Sequence, residues 1–78
     1  MLLDRMETKS PVIIRMRKNN FVVVEMRESG DVLAYCQIGD DDNVERIADI
    51  LSAKRLPADA MRLRKMRDDA RHIRRPHA

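Results

Sequence analysis

The chain has 78 residues, of which 44% are hydrophobic and 37% are charged. A chain of this length forms one domain with a small core, which leaves little material for the walled pocket that an enzyme needs. The formal net charge is +3, but residues 1–53 carry 7 Lys/Arg against 10 Asp/Glu, whereas residues 54–78 carry 9 against 3. This asymmetry indicates an anionic partner, either nucleic acid or an acidic protein surface.

Cysteine content and hydropathy bear on the compartment. Cys36 is the single cysteine, so no internal disulfide can form, which agrees with a reducing compartment. No apolar run approaches the roughly 18 residues of a membrane span, and Asp4 interrupts the apolar start too early for a signal peptide. We therefore expect a cytoplasmic protein that does not contact a membrane.

The chain divides into three parts. Residues 1–10 show no clear hydrophobic period and end at Ser10 and Pro11, so we interpret them as an N-terminal arm. Residues 11–75 carry all of the periodic segments and are predicted to form one α+β domain. Residues 76–78 are predicted to be a C-terminal tail.

Three apolar runs predict a β-meander. The strongest is residues 21–27, in which three consecutive valines follow a phenylalanine. Asn19 and Asn20 precede it, and Ser29 and Gly30 follow it, and both pairs suit two-residue hairpin turns with positive φ. The flanking runs, residues 12–18 and 32–38, are the predicted outer strands.

Two-residue turns also predict a register, in which Met16 lies opposite Val23 and Val23 lies opposite Cys36. The predicted core face carries Val12, Ile14, Met16, Phe21, Val23, Val32, Ala34, Cys36 and Ile38. The opposite face, which we interpret as a candidate partner or dimer surface, carries Arg15, Arg17, Val22, Val24, Tyr35 and Gln37. Because the central strand is apolar on both sides, we expect this second face to be covered by the chain itself, by a second copy in a homodimer, or by a foreign partner.

A first helix is predicted over residues 43–55. Its inner stripe is Val44, Ile47, Ala48 and Leu51, the pattern of a helix that packs on one face. Asp42 is the predicted N-cap, with Glu45 in the capping-box position. The acidic cluster is explained by helix capping rather than by metal binding, because it lacks the glycine and the distal glutamate of an EF-hand loop.

A second helix is predicted from Pro57 to about residue 74, with an apolar stripe that includes Leu63, Met66 and Ala70. Most of its remaining circumference is basic. The candidate site for nucleic acid or an acidic partner is Arg62, Arg64, Lys65, Arg67, Arg71, Arg74 and Arg75. Arginine favours bidentate contacts to phosphate or carboxylate, whereas a solvated face with internal ion pairs is the competing interpretation.

Signals for catalysis and for base stacking are weak. The sequence contains no glycine-rich phosphate loop, no Ser/His/Asp or Cys/His set, and no cysteine or histidine cluster with metal-ligand spacing. Phe21 and Tyr35 are the only aromatic residues, so a sheet that stacks bases is not expected. We therefore predict a protein that is not an enzyme and that uses no cofactor or metal.

The predicted fold is α+β, a three-stranded antiparallel β-meander followed by two α-helices (βββαα). The leading functional hypothesis is a non-catalytic binding protein that engages nucleic acid, or a nucleic-acid-handling complex, through the Arg-rich C-terminal helix. The alternative is a small protein–protein inhibitor or adaptor, of the kind that phages and mobile elements encode. Such a protein would occupy a partner's surface through the second sheet face or through the acidic helix start.

Overall fold

A computed structural model describes the backbone of residues 10–74 and the side chains of residues 10–71. Three antiparallel strands form one sheet in the order β1-β2-β3, and two helices follow them. The elements are β1 (Val12–Arg17), β2 (Phe21–Met26), β3 (Val32–Gln37), α1 (Asp41–Ala53) and α2 (Pro57–Arg74). This confirms the predicted βββαα fold in a single small domain. The predicted arm, apart from Ser10, and the predicted tail lie outside the described residues.

The turn between β1 and β2 contains three residues, Lys18–Asn20, which form a short 3-10 turn. Asn19 has φ 61° and Asn20 has φ 62°, so the predicted positive φ is confirmed at both residues. Asparagine enters this left-handed region more readily than most residues. The predicted loop length is wrong, because Lys18 belongs to the turn. Arg17 therefore pairs with Phe21.

The extra turn residue reverses the predicted orientation of the side chains of β2. Each side chain lies on the face of the sheet opposite to the predicted one. Side chains alternate along a strand, so a register shift of one residue exchanges its two faces. Val22 and Val24 are both 0% exposed and lie in the core, which means that their predicted place on the partner face is wrong. Phe21 and Val23, which were predicted to be buried, instead lie on the opposite side and are only partly buried.

The turn between β2 and β3 is also longer than predicted and covers residues 27–31. The Gly30 N–H donates to the Met26 carbonyl, and the Met26 N–H donates to the Asp31 carbonyl, both at 2.8 Å. Gly30 has φ 79°, which a glycine adopts without a steric penalty. β3 then pairs with β2 so that Cys36 faces Val22, with an irregularity beside Glu25.

The two helices cover the inner face of the sheet. α1 packs against β3, and α2 packs along α1. All four residues of the predicted α1 stripe are buried, which confirms that prediction. The buried hydrophobic core is Val12, Val22, Val24, Cys36, Ile38, Val44, Ile47, Ala48, Leu51, Ala60 and Leu63. Burial, and then the charge of Asp40, raise the pKa of the Cys36 thiol, so the thiol stays protonated at neutral pH.

Both ends of α1 differ from the prediction. The helix begins at Asp41, and its N-cap is Asp40 rather than Asp42. One Asp40 oxygen accepts a hydrogen bond from the Asn43 backbone N–H at 3.3 Å, and the other accepts from the Asn43 side-chain amide at 2.7 Å. At the far end Arg55 has φ 65°, and the Leu56 N–H donates to the Leu51 carbonyl at 2.9 Å. This Schellman-type closure ends α1 at Ala53.

The observed register predicts losses of stability of different size for one isosteric substitution at two adjacent residues. Val24→Thr buries a hydroxyl in the core and should lower the free energy of unfolding by about 1–3 kcal/mol. Val23→Thr places the same hydroxyl on the partly exposed side and should change it by less than about 0.5 kcal/mol. Urea unfolding of the two variants measures the difference. A larger loss for Val23→Thr would support the register that two-residue turns predict.

Candidate functional site

The arginines of α2 are largely engaged within the protein. The Glu45 carboxylate of α1 accepts hydrogen bonds from Arg64 Nη2 at 2.8 Å, from Arg64 Nε at 3.1 Å and from Arg67 Nη1 at 2.8 Å. The Arg67 side chain is only 14% exposed. Because α1 supplies the acid and α2 supplies both bases, these bonds join the two helices.

The electrostatics of Glu45 reflect the same contacts. Hydrogen bonds from Arg64 and then from Arg67 lower the pKa of Glu45 to about 2. The pKa values of Arg64 and Arg67 are both raised, and the main cause for each is its hydrogen bond to Glu45. All three groups are therefore charged throughout the physiological pH range.

The remaining bases of α2 that the structure describes are also paired. Lys65 Nζ lies 3.4 Å from Asp69, and Arg71 pairs with Asp41 at the start of α1. Arg62 Nη2 lies 2.7 Å from Asp59 Oδ1.

Asp59 has a second contact, which ties α2 to the rest of the domain. Its side chain is buried and accepts a hydrogen bond from the Ser10 hydroxyl at 2.7 Å. The Arg62–Asp59 pair thus sits where α2 meets the segment before β1.

The predicted cationic surface of α2 is therefore a mixed-charge network over its described residues. The paired members are Arg62, Arg64, Lys65, Arg67 and Arg71. The side chains of Arg74 and Arg75 lie outside the described residues. A phosphate that approached Arg64 or Arg67 would have to compete with Glu45 for the same N–H groups.

The second candidate surface is the outer face of the sheet, which is the side opposite the helices. It consists of three cross-strand rows of side chains. From β1 to β3 the rows are Arg17, Phe21 and Gln37; then Arg15, Val23 and Tyr35; then Ile13, Glu25 and Val32. Of the predicted partner face, Arg15, Arg17, Tyr35 and Gln37 lie here, whereas Val22 and Val24 do not.

The two aromatic residues of the chain meet on the outer face. The ring centroids of Phe21 and Tyr35 are 5.5 Å apart, and their planes are inclined by 38°. Tyr35 is 63% exposed, and Phe21 is half-buried. The sequence-based register missed this pair because it assigned Phe21 to the core. The correct length of the first turn would have placed Phe21 on the outer face beside Tyr35.

The charges on the outer face differ between its two ends. Arg15 Nε lies 3.0 Å from Glu25 Oε2, so this arginine is neutralised within the face. Arg17 and Lys18 lie at the end beside the first turn, and no carboxylate of a described residue forms an ion pair with either. That end of the outer face is therefore positively charged.

A groove of about 830 Å³ opens at the same end. Its lining is Met16, Arg17, Lys18, Asn19, Phe21, Val23 and Gln37. We call it the turn groove. Apolar side chains form most of its wall, and the cationic and amide groups supply its polar contacts.

Residues 10–71 contain neither a metal-binding cluster nor a membrane-spanning helix. Within this part of the chain, no group of three or more His, Cys, Asp or Glu side chains is arranged to hold a metal ion. No described helix is long and apolar enough to span a bilayer. The chain matches no protein-family model, no curated protein and no solved structure.

The Glu45 contacts predict a specific pH dependence of stability. The pKa of Glu45 is lowered in the folded state, so its stabilising effect is fully present above its ordinary value of about 4.5 and is lost as the pH falls towards about 2. Glu45→Gln should reduce stability at pH 7 and should flatten the decline between these two pH values. Urea unfolding across the acid range measures both effects.

Glu28→Gln is the matched control, because Glu28 is exposed in the second turn and forms no ion pair with a described residue. Its pH profile should follow that of the wild type. If Glu45→Gln were also to follow the wild-type profile, Glu45 would not join the two helices as described.

Proposed function

We propose that the protein is a non-catalytic binding protein for single-stranded nucleic acid and that the outer face of the sheet is its contact surface. The observation that carries this proposal is the Phe21–Tyr35 pair, in which Tyr35 is exposed, and which lies beside Arg15 and Arg17 on adjacent positions of the sheet. The proposal keeps the class of partner that the charge distribution indicates. It moves the contact surface from α2 to the sheet.

Stacking supports an unpaired strand as the ligand. Each base that stacks on an aromatic side chain contributes about 1–3 kcal/mol, and any base can do so because every base has a π-face. A duplex hides these faces within its own stack, so an aromatic pair on an open sheet favours unpaired nucleotides. Tyr35, at 63% exposed, presents enough of its ring for such a contact.

Charge supports the same surface. Arg17 and Lys18 form no ion pair with a carboxylate of residues 10–71, so a phosphate that binds them competes with none of these carboxylates. The described bases of α2 already have carboxylate partners, and Arg64 and Arg67 share the Glu45 carboxylate, which accepts hydrogen bonds from three of their nitrogen atoms. Release of those contacts would offset part of the gain from binding a phosphate at α2.

Fluorescence anisotropy with labelled oligonucleotides about ten nucleotides long tests the proposal, since known single-strand sites cover about 4–16 nucleotides. The protein should bind single-stranded DNA or RNA more tightly than a duplex of the same length. The logarithm of the affinity should fall linearly with the logarithm of the salt concentration, by about 0.7 for each phosphate neutralised. Absence of binding at low salt would overturn the proposal and would favour a protein partner.

Matched substitutions separate the two surfaces. Tyr35→Ala should weaken binding roughly 5- to 150-fold, the equivalent of one lost stacking contact. Arg17→Gln should weaken binding and reduce the salt slope by about 0.7. Arg71→Gln makes the same change on α2 and should leave both quantities close to the wild-type values. The reverse pattern, with Arg71 important and Tyr35 and Arg17 unimportant, would assign binding to α2.

A further inference from the structure

Resting on the proposed function, we infer that the turn groove holds the base of one unpaired nucleotide and that Gln37 recognises this base as adenine. The groove lies at the positively charged end of the outer face, and Phe21 forms part of its wall. Tyr35 is not among its lining residues. The groove is therefore a site for a second base, beside the one that stacks on Tyr35.

The size and the lining of the groove fit a nucleobase. Its volume of about 830 Å³ leaves room for a base together with the sugar that carries it. The Phe21 ring offers a stacking surface, and Val23 offers an apolar contact on the same face of the sheet. A purine has a larger face than a pyrimidine and gains more from these contacts.

Gln37 supplies the polar recognition. It lies directly opposite Phe21 in the register, and its side chain is exposed. A carboxamide presents a donor and an acceptor side by side, and glutamine pairs in this way with the N6 and N7 atoms of adenine. A base that stacks on Phe21 therefore brings its edge towards a group able to read it.

The phosphate of the same nucleotide also has partners at the groove. Arg17 and Lys18 both line it, and neither is paired with a carboxylate of the described residues. Arg17 is the cross-strand neighbour of Phe21 on the side away from Gln37. One row across the sheet thus offers a guanidinium for phosphate, a ring for the base and an amide for the edge of the base.

Affinities for homopolymers of adenosine, thymidine and cytidine about eight nucleotides long test the inference. The wild type should bind the adenosine oligomer most tightly. Gln37→Leu keeps the side-chain size but removes the hydrogen bonds, so it should weaken adenosine binding about 2- to 10-fold and reduce the preference by the same factor. Tyr35→Ala is the control, because it should weaken binding of all three oligomers while the preference remains.

NMR of the side-chain amides gives a second, structural readout. With ¹⁵N labelling, the signals of the Gln37 side-chain amide should shift when the adenosine oligomer is added, because the base forms hydrogen bonds with this amide. An abasic oligomer of equal length should not shift them. Asn43, whose side-chain amide donates to Asp40 at the start of α1, is the internal control and should not move with either ligand.

The outcomes separate this inference from the proposed function. If oligomers bind in a Tyr35-dependent manner, but the Gln37 amide signals are unmoved or adenosine is not preferred, the inference about the groove is wrong and the proposed function stands. A preference for adenosine that Gln37→Leu leaves unreduced also overturns it. If no oligomer binds at low salt, both are wrong.

Discussion

The three-residue turn Lys18–Asn20 is the constraint on which the rest of the structure depends. It fixes the register of β1 against β2. The register in turn decides which alternate residues of the apolar run at the start of β2 are buried. Two consecutive left-handed residues make this turn costly, at about 1 kcal/mol or more each for a residue other than glycine, and somewhat less for asparagine. Burial of Val22 and Val24, at about 1.5–3 kcal/mol each, more than offsets this cost.

The two charged surfaces have different consequences for binding. On α2, arginines face acids of α1, and the shared carboxylate of Glu45 makes them part of the helix–helix contact. On the sheet, the turn leaves Arg17 and Lys18 at an open end beside the Phe21 ring. The helix therefore contains more positive charge, but the sheet has the cations that are more readily used for binding. This difference is the reason for preferring the sheet as the contact surface.

The fold class and the stripe of α1 could be predicted from the sequence because both rest on local periodicity. The register could not, because residues 21–24 are all apolar and either alternate pair can be buried. Only the loop length distinguishes the two arrangements, and Lys18 gives no sequence signal that it belongs to the turn. The cap of α1 was ambiguous for a similar reason, since three consecutive aspartates are all suited to that role.

Two properties of the candidate surfaces could not be predicted from the sequence, and they share a cause. Counting charge along α2 identifies its cations, but it does not show that Asp41 and Glu45, far earlier in the chain, face them. Scarcity of aromatic residues argues against base stacking, but it does not show that Phe21 and Tyr35 come within 5.5 Å of each other. Both facts arise from tertiary packing, which periodicity and composition do not encode.

Intrinsic tyrosine fluorescence tests the central claim most directly, because Tyr35 is the only tyrosine and the chain contains no tryptophan. A single-stranded oligonucleotide at saturating concentration should quench Tyr35 emission, since a stacked base contacts the ring. An abasic oligonucleotide of the same length should bind through its phosphates and leave the emission unchanged. Unchanged emission with the normal oligonucleotide at saturation would contradict the account and would show that the nucleic acid binds elsewhere.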